Sequence, residues 1–344
     1  MAEQSAAARS AYGGQAVIEG VMIRGKSHIA TACRLKDGSI RLRHDEADGL
    51  TRRYRWLQVA FIRGTPALFD SLAMGYRTLM WSADQAMEGE EQGQQLTPAQ
   101  QFFSIAFSMI FAIGIFVLLP TAVIGLLGHW VPAFHRAGNT SMIWWQQLIP
   151  TWNAILPNLV EGVLRLLLLM AYIGVIARNP EVRRIFAYHG AEHKVVNGYE
   201  AGADLSVDAV RAYSRIHPRC GTSFLFLTFV VGVIIHAFIG WPQFIWLRLA
   251  SRLVLLPLVA GTAYELIRLS GRFRDSRLMR ALIFPGLLLQ YLTTAEPEDA
   301  QIDVALASMR TVLEDEGVLP KSAEDPLTPI LPIDTSESTE DALL

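Results

Sequence analysis

An uncharged apolar run, Phe102 to Leu127, constrains the fold of this chain more than any other stretch of the sequence. A helix that crosses a bilayer needs about 20 consecutive apolar residues, and this run is long enough. Thr97-Pro98, a few residues before the run, is typical of a helix start, because the N–H that proline lacks would have no partner in the first turn. The run therefore predicts a membrane-spanning helix.

The composition agrees with this prediction. Hydrophobic residues make up 51% of the 344 residues and charged residues only 18%, whereas about 25% of residues are charged in a typical soluble domain. The net charge of −2 argues against a general nucleic-acid-binding role. The two cysteines, Cys33 and Cys220, are far apart, so we expect no disulfide framework. The first residues lack the apolar core of a secretory signal peptide.

Further apolar runs cover 154–176, 223–246 and 253–269, and a shorter run, 281–292, is too short to span. The shorter run predicts a re-entrant, interfacial or buried helix. We therefore predict a mainly α-helical polytopic membrane protein with about four transmembrane helices plus a re-entrant or interfacial helix. A small N-terminal cytoplasmic α+β region precedes them.

The positions of Lys and Arg predict the orientation. Basic residues concentrate before the first run, between the second and third runs and after the fourth run, while the link between the first two runs holds only Arg136. Arg248 and Arg252, between the third and fourth runs, go against this trend. Because cytoplasmic loops carry the excess of basic residues, we expect both termini in the cytoplasm and both cysteines reduced.

The parts outside the runs differ in pattern. Alternation around Asp37-Gly38 is typical of a β-hairpin, and 54–87 predicts an amphipathic helix, interrupted near 64–66, that lies along the membrane. Ile302, Leu306, Met309 and Leu313 mark one apolar helix face. The predicted organisation is a flexible N-terminus (1–12), a cytoplasmic β-hairpin and amphipathic-helix region (13–87), a linker (88–101), a transmembrane domain (102–294) with a cytoplasmic loop at 177–222, an amphipathic helix (295–317) and a disordered acidic tail (318–344).

The stretch YHGAEHK (188–194) carries the strongest chemical signal. Asn179-Pro180 predicts a helix start and Asn197-Gly198 a helix stop, so His189, Glu192 and His193 should share one helix face. The pattern H-x-x-E-H is the inverted zinc-protease motif, with two histidine ligands and a glutamate base. A polar, solvated helix face at the membrane surface is the alternative interpretation.

A third metal ligand has three candidates. His217 and Cys220 lie in the segment SRIHPRCGTSF (214–224), just before the third run, and both are good zinc ligands. Glu265 lies at the cytoplasmic end of the fourth run. An ionisable side chain within a span is a functional-site candidate, and the alternative for Glu265 is an ion pair with Arg268. The sequence does not choose between them. Nitrogen and sulfur ligands predict a divalent metal, with zinc as the default and iron or manganese as alternatives for a His/Glu site.

Other polar residues have a structural and a functional interpretation. Glu161 and Arg165, four apart, can neutralise each other inside a helix bundle, and His236 can be a hydrogen-bonded bundle residue. Arg215 and Arg219 can hold an anionic substrate group or lipid head groups. The glycine-rich segment GGQAVIEGVMIRG (13–25) fits a strand with tight turns or a loop over the cytoplasmic site.

Four motifs occur in the order found in the YqhQ-like bacterial membrane proteins: GGQAVIEGVMIRG, YHGAEHK, HPRCGTSF and FPGLLLQYLTTAEP (284–297). The chain resembles this family of unknown function over roughly residues 12 to 312. The resemblance implies a metal-dependent enzyme without an established reaction, located in the bacterial inner (cytoplasmic) membrane.

These observations lead to three functional hypotheses. The first is a membrane protein with a cytoplasm-facing divalent-metal site, acting as a hydrolase with Glu192 as the catalytic base. The second is a non-catalytic scaffold or chaperone for other membrane proteins. The third is an oligomeric transporter that uses Glu161, Arg165 and His236, although no inverted repeat is visible. The expected partners are the lipid bilayer and other membrane proteins, and not nucleic acid.

Overall fold

A computed structural model describes residues 12–47, 49–50, 54–87, 98–131, 152–239, 245–272 and 276–321. The flexible N-terminus and the linker predicted from the sequence lie mostly outside the described residues, as does the acidic tail from residue 322 onward. Within the described part, a small N-terminal sheet precedes a mostly helical chain.

The sheet has four antiparallel strands in the order β1-β2-β3-β4. They are β1 (Gly13–Val17), β2 (Gly20–Arg24), β3 (His28–Arg34) and β4 (Ile40–Glu46). The hairpin predicted at Asp37-Gly38 joins β3 to β4, and Gly38 has a φ of +86° that only glycine adopts without strain. The glycine-rich segment therefore forms β1, a tight turn and β2.

A 3₁₀ turn (Arg55–Gln58) and ten α-helices follow in the described residues. The helices are α1 (Gly64–Met87), α2 (Pro98–Ile113), α3 (Leu119–Trp130), α4 (Trp152–Ile176), α5 (Pro180–Ala201), α6 (Val207–Arg211), α7 (Gly221–Ala237), α8 (Ile245–Arg272), α9 (Arg277–Thr293) and α10 (Asp299–Asp315). A π-helical turn, Gly114–Leu118, joins α2 to α3.

The main hydrophobic core lies between one face of the sheet and helices α5 and α10. The apolar side of α10 predicted from the sequence faces this core, and Ile302, Leu306, Met309 and Leu313 are all buried. The other face of the sheet carries a smaller cluster that includes Met22, Ile29 and Cys33 and packs against α1. The sheet is therefore covered on both faces by helices.

Among the described residues, three helical segments are long and apolar enough to cross a membrane: Phe102–Leu127, Ile155–Ile176 and Leu249–Leu269. They match three of the four predicted spans. The third predicted span, 223–246, corresponds to the shorter helix α7, which has 17 residues, and residues 240–244 lie outside the described part. The short run 281–292 forms α9, which packs against α7.

One helix boundary predicted from the sequence is wrong. Helix α5 does not stop at Asn197-Gly198 but continues to Ala201 and ends at Gly202, whose φ is +80°. Both residues serve packing instead: Asn197 donates to the carbonyl oxygens of Ser214 and Ile216, and a Cβ on Gly198 would lie 2.9 Å from Val210 Cγ1.

Candidate metal centre

Helix α5 brings the histidines of YHGAEHK together. Its N-cap is Asn179, as predicted, and the side chain of this residue accepts a hydrogen bond from the N–H of Glu181. The helix then places His189 and His193 one turn apart, with ring centroids 4.4 Å from each other. Both rings are buried, so this face of α5 is not the solvated polar face of the alternative interpretation.

Cys220 completes a cluster with these two histidines. One potential ligand atom from each of His189, His193 and Cys220 lies within 4.8 Å of the other two. The Nε2 atom of His189 is 3.1 Å from the Cys220 sulfur. The three side chains are buried, and two nitrogens with one sulfur form a donor set that suits zinc and related divalent ions.

Backbone carbonyl groups orient both imidazole rings. The Nδ1 atom of His189 is 2.8 Å from the Thr293 carbonyl oxygen, and that of His193 is 2.6 Å from the Arg215 carbonyl oxygen. A carbonyl oxygen can only accept, so each Nδ1 must carry a proton. In the neutral ring, Nε2 then keeps its lone pair. Metal-binding histidines usually show this arrangement, with one nitrogen bound to a carbonyl or carboxylate and the other free for the metal.

Glu192 lies beside the cluster rather than in it. Its Oε2 atom is 3.4 Å from His193 Nε2, and its side chain is buried. Burial raises the pKa of Glu192, although His189, His217 and the N–H of Gly14 act in the opposite direction. Burial lowers the pKa of His193 and favours the neutral ring. A carboxyl group with a raised pKa next to a potential metal ligand is well suited to accept a proton from water.

The turn that carries Cys220 is held by a buried glutamine. Cys220 is the N-cap of α7, and its sulfur accepts from the N–H of Thr222 at 3.4 Å. Gln290 of α9 accepts from the N–H of His217 and donates to its carbonyl oxygen and to Ser223, at 2.7–2.8 Å. These three hydrogen bonds fix the turn and the start of α7 against α9.

The remaining candidate ligands lie outside the three-residue cluster. His217 is buried with its ring centroid 5.7 Å from that of His193, and its Nε2 atom is 3.7 Å from Glu200. Glu265 accepts hydrogen bonds from Arg63 at 2.7 and 2.5 Å and from the N–H of Phe61 at 3.3 Å. This ion pair joins the segment before α1 to α8 and takes up both oxygens of the carboxylate.

Glu161 has contacts that fit its structural interpretation. It is fully buried and accepts from Thr121, Arg165 and Arg252. It therefore links α3, α4 and α8. His236 places its Nδ1 atom 2.6 Å from the carbonyl oxygen of Gly232, within its own helix.

Arg215 and Arg219 also contact protein groups. Arg215 donates to the carbonyl and hydroxyl oxygens of Thr294, and Arg219 pairs with Glu200. The segment 215–221 is thus linked to α5 and to the end of α9 by two arginine side chains as well as by Gln290.

Comparison with known proteins identifies the family. A family described as "Protein of unknown function (DUF1385)" matches residues 59–315. The chain belongs to this family. "Uncharacterized protein YqhQ" of Bacillus subtilis (strain 168) is 34% identical over 321 residues, which cover 88% of this chain and 92% of that protein. The resemblance stated from the sequence motifs is thereby confirmed. No solved structure matches the chain significantly.

The four motifs that carried the resemblance meet at the cluster. GGQAVIEGVMIRG supplies Gly14, which lies so close to Glu192 that an added Cβ would be 3.2 Å from Glu192 Cγ. YHGAEHK supplies the two histidines. HPRCGTSF supplies Cys220. FPGLLLQYLTTAEP supplies Gln290 and the Thr293 carbonyl oxygen. The sequence left two interpretations of the first motif, a strand with tight turns or a loop over the site, and it forms strands that reach the site. The role of the last motif was not predicted from the sequence, because it acts through a main-chain carbonyl and an amide and offers no typical metal ligand.

Proposed function

We propose that this chain is an integral membrane protein that binds a divalent metal ion at its cytoplasmic end and uses it for hydrolysis. His189, His193 and Cys220 would hold the metal, zinc being the best match for two nitrogens and one sulfur. The observation that carries the proposal is the pair of Nδ1 to carbonyl contacts, because they leave the Nε2 lone pairs of both rings available at the cluster.

The packing of the chain supports a definite topology. The sheet, α5 and α10 share one core and therefore lie on the same side of the membrane. The chain must then cross the membrane an even number of times between the sheet and α5, and again between α5 and α10. Arg63, directly before the helix α1 that packs on the sheet, pairs with Glu265 near the end of α8. Arg252, near the start of α8, pairs with Glu161 near the start of α4. The start of α8 therefore lies at the end of the bundle opposite to the core.

It follows that both α7 and α8 cross the membrane, although α7 is short. Its 17 residues extend about 25 Å, slightly less than the roughly 30 Å of a hydrocarbon core. Helix α9 begins just after α8 and ends at Thr293, which contacts His189, so both ends of α9 lie on one side. The result is four crossings with α9 not spanning. The distribution of basic residues supports a cytoplasmic location for the sheet, the cluster and both termini.

Three protein ligands with an open position are typical of catalytic zinc sites, whereas structural sites use four. A divalent ion held in this way would supply Lewis-acid activation of water near neutral pH. Glu192, whose Oε2 atom lies 3.4 Å from His193 Nε2, would act as the base that accepts a proton from water. The carbonyl oxygens of Thr293 and Arg215 would keep both rings in the required tautomer.

Metal content measured by mass spectrometry tests the proposal, on full-length protein purified in detergent without a histidine tag. We expect about one metal ion per chain, lost in the His189→Ala/His193→Ala double variant. Glu192→Gln should retain the metal and lose hydrolysis of chromogenic ester, phosphate-ester and peptide probes. His44→Ala is the matched control, because His44 pairs with Asp315 away from the cluster. Wild-type protein without metal, even after reconstitution with zinc, would overturn the proposal.

A second function, a non-catalytic membrane factor, is favoured by the burial of all three ligands. The cluster joins α5 to the starting turn of α7 and the end of α9, so a metal ion there would fasten the sheet layer to the membrane helices. In that case Glu192→Gln would complement a deletion strain fully, while the double histidine variant would lose both metal and thermal stability. Complementation that fails with Glu192→Gln, with metal still bound, would favour the hydrolase.

A further inference from the structure

Helix α1 exposes a continuous stripe of large apolar side chains. The stripe residues recur three or four positions apart, or at multiples of that spacing, and therefore line one side of the helix. Their exposed fractions range from 38% to 61%. The stripe consists of Phe69, Leu72, Tyr76, Leu79, Met80 and Met87.

The opposite side of α1 is already used. Thr78 and Ser82 are buried, and they hydrogen-bond Gln15 and the N–H of Ile18 in the sheet region. Met74 and Trp81 pack on the apolar cluster beneath. Helix α1 is therefore packed on the sheet by one side and exposes the stripe on the other. An additional apolar side on a docked helix needs a second partner, because a surface helix of a soluble domain keeps its outer side polar.

The attachment of α1 indicates which partner this is. A Cβ on Gly64, the first residue of α1, would lie 2.7 Å from the Ala260 carbonyl oxygen and 2.9 Å from Tyr264 Cβ. Arg63 pairs with Glu265 directly before the helix. These contacts fix the start of α1 to the second half of the candidate span Leu249–Leu269. The stripe thus begins beside a helix that is apolar enough to cross a membrane.

We propose that α1 lies in the plane of the cytoplasmic membrane surface and inserts this stripe among the lipids. From Phe69 to Met87 the stripe is about 27 Å long. Because the opposite side of α1 packs on the sheet, the stripe suits a helix that lies along the bilayer surface rather than one that crosses it. Tyr76 belongs to a class of side chain enriched at the interface, and the exposed Arg77 can reach anionic head groups. The inference rests on the membrane location in the proposed function and is independent of the metal site.

Photocrosslinking in lipid vesicles tests the inference. p-Benzoylphenylalanine replaces one residue at a time in the full chain, reconstituted in vesicles of phosphatidylethanolamine and phosphatidylglycerol. The test positions are Leu72 and Tyr76. Leu167 is the positive control, because it lies in the candidate span Ile155–Ile176 and is 57% exposed. Asp208 is the negative control, because its side chain is 92% exposed in α6, which packs on the cytoplasmic core.

We expect lipid adducts by mass spectrometry at Leu72, Tyr76 and Leu167, and none at Asp208. Lipid adducts at Leu167 without any at Leu72 and Tyr76 would overturn the in-plane helix and leave the membrane location intact. Protein adducts at Leu72 and Tyr76 would overturn the proposed lipid contact and show that the stripe binds a second copy of the chain or another protein. The absence of lipid adducts at all four positions would overturn the membrane location itself and this inference with it.

Discussion

Helices α10 and α1 cover opposite faces of the same sheet, but they differ in how their apolar side chains are used. Leu306 of α10 is 2% exposed and packs in the main core, whereas Leu72 of α1 is 61% exposed. Both helices are amphipathic by sequence, with leucines at helical spacing. The difference shows that an apolar helix face predicts contact with an apolar partner, but does not show whether that partner is the protein core or another surface.

The same contrast separates two layers of the molecule. The layer of sheet, α5 and α10 is held by buried apolar contacts and carries the two histidines of the candidate metal centre. The outer side of α1 and the candidate spans present apolar surface outward. Substitutions in the first layer should therefore change the stability of the folded chain, and those on the stripe should change mainly its contact with lipid.

The largest effect is expected from Leu306→Ala. Truncating a leucine that is almost fully buried removes packing and leaves a cavity, which costs about 3 kcal/mol. Guanidinium unfolding in detergent measures this loss. A decrease of less than about 1 kcal/mol would mean that the core collapses around the missing side chain, and would remove the contrast between α10 and α1.

Gly14→Ala should have the next largest effect. An added Cβ would lie 2.1 Å from the Met22 carbonyl oxygen and 3.2 Å from Glu192 Cγ, and overpacking of this kind costs about 1–3 kcal/mol. Gly13→Ala is the matched control, because a Cβ at Gly13 would meet nothing within 4 Å. Equal stability and equal activity of the two variants would show that β1 does not constrain Glu192.

Glu316→Gln should cost about 1 kcal/mol at pH 7. Partial burial acts to raise the pKa of Glu316, but hydrogen bonds from the Ser27 N–H and the Tyr12 hydroxyl outweigh it and hold the pKa below its ordinary value. The carboxylate therefore stabilises the fold above its unfolded pKa, and this contribution disappears as the pH falls through the folded pKa.

Unfolding of wild type and Glu316→Gln at pH 7 and at pH 3 measures this contribution. The two proteins should converge at the lower pH. A difference that stays constant with pH would assign the loss to packing at the end of α10 rather than to the charge.

Leu72→Ala should have the smallest effect, within about 0.5 kcal/mol in detergent. The side chain is mostly exposed in the folded chain, so its removal leaves no cavity. The measurement is the same guanidinium unfolding as for Leu306→Ala, which makes the two leucines a matched pair. A loss close to that of Leu306→Ala would mean that another part of the protein covers the stripe.

Local sequence signals predicted much of the fold. The Asp37-Gly38 turn, the Asn179 cap and the apolar face of α10 each depend on residues close together in the chain, and all three are present. The predicted stop at Asn197-Gly198 was wrong because the contacts of those residues with the segment 210–216 outweigh their turn preference.

The candidate site was predictable only in part. Helical spacing placed His189 and His193 together, and residue type made Cys220 one of three candidate third ligands, between which the sequence did not choose. Spacing could not show that Glu265 pairs with Arg63, which is 202 positions away. It also could not show that Gln290 holds the cysteine turn, since an amide in an apolar run has no signature of its own.

The rings of His189 and His193 are oriented by the carbonyl oxygens of Thr293 and Arg215, which belong to the main chain. Replacing the side chain of Thr293 or Arg215 would leave these carbonyl acceptors in place. Deleting or inserting one residue beside Thr293 or Arg215 would move them out of reach. Point-substitution scanning would therefore overlook this part of the site, whereas single-residue deletion scanning would reveal it.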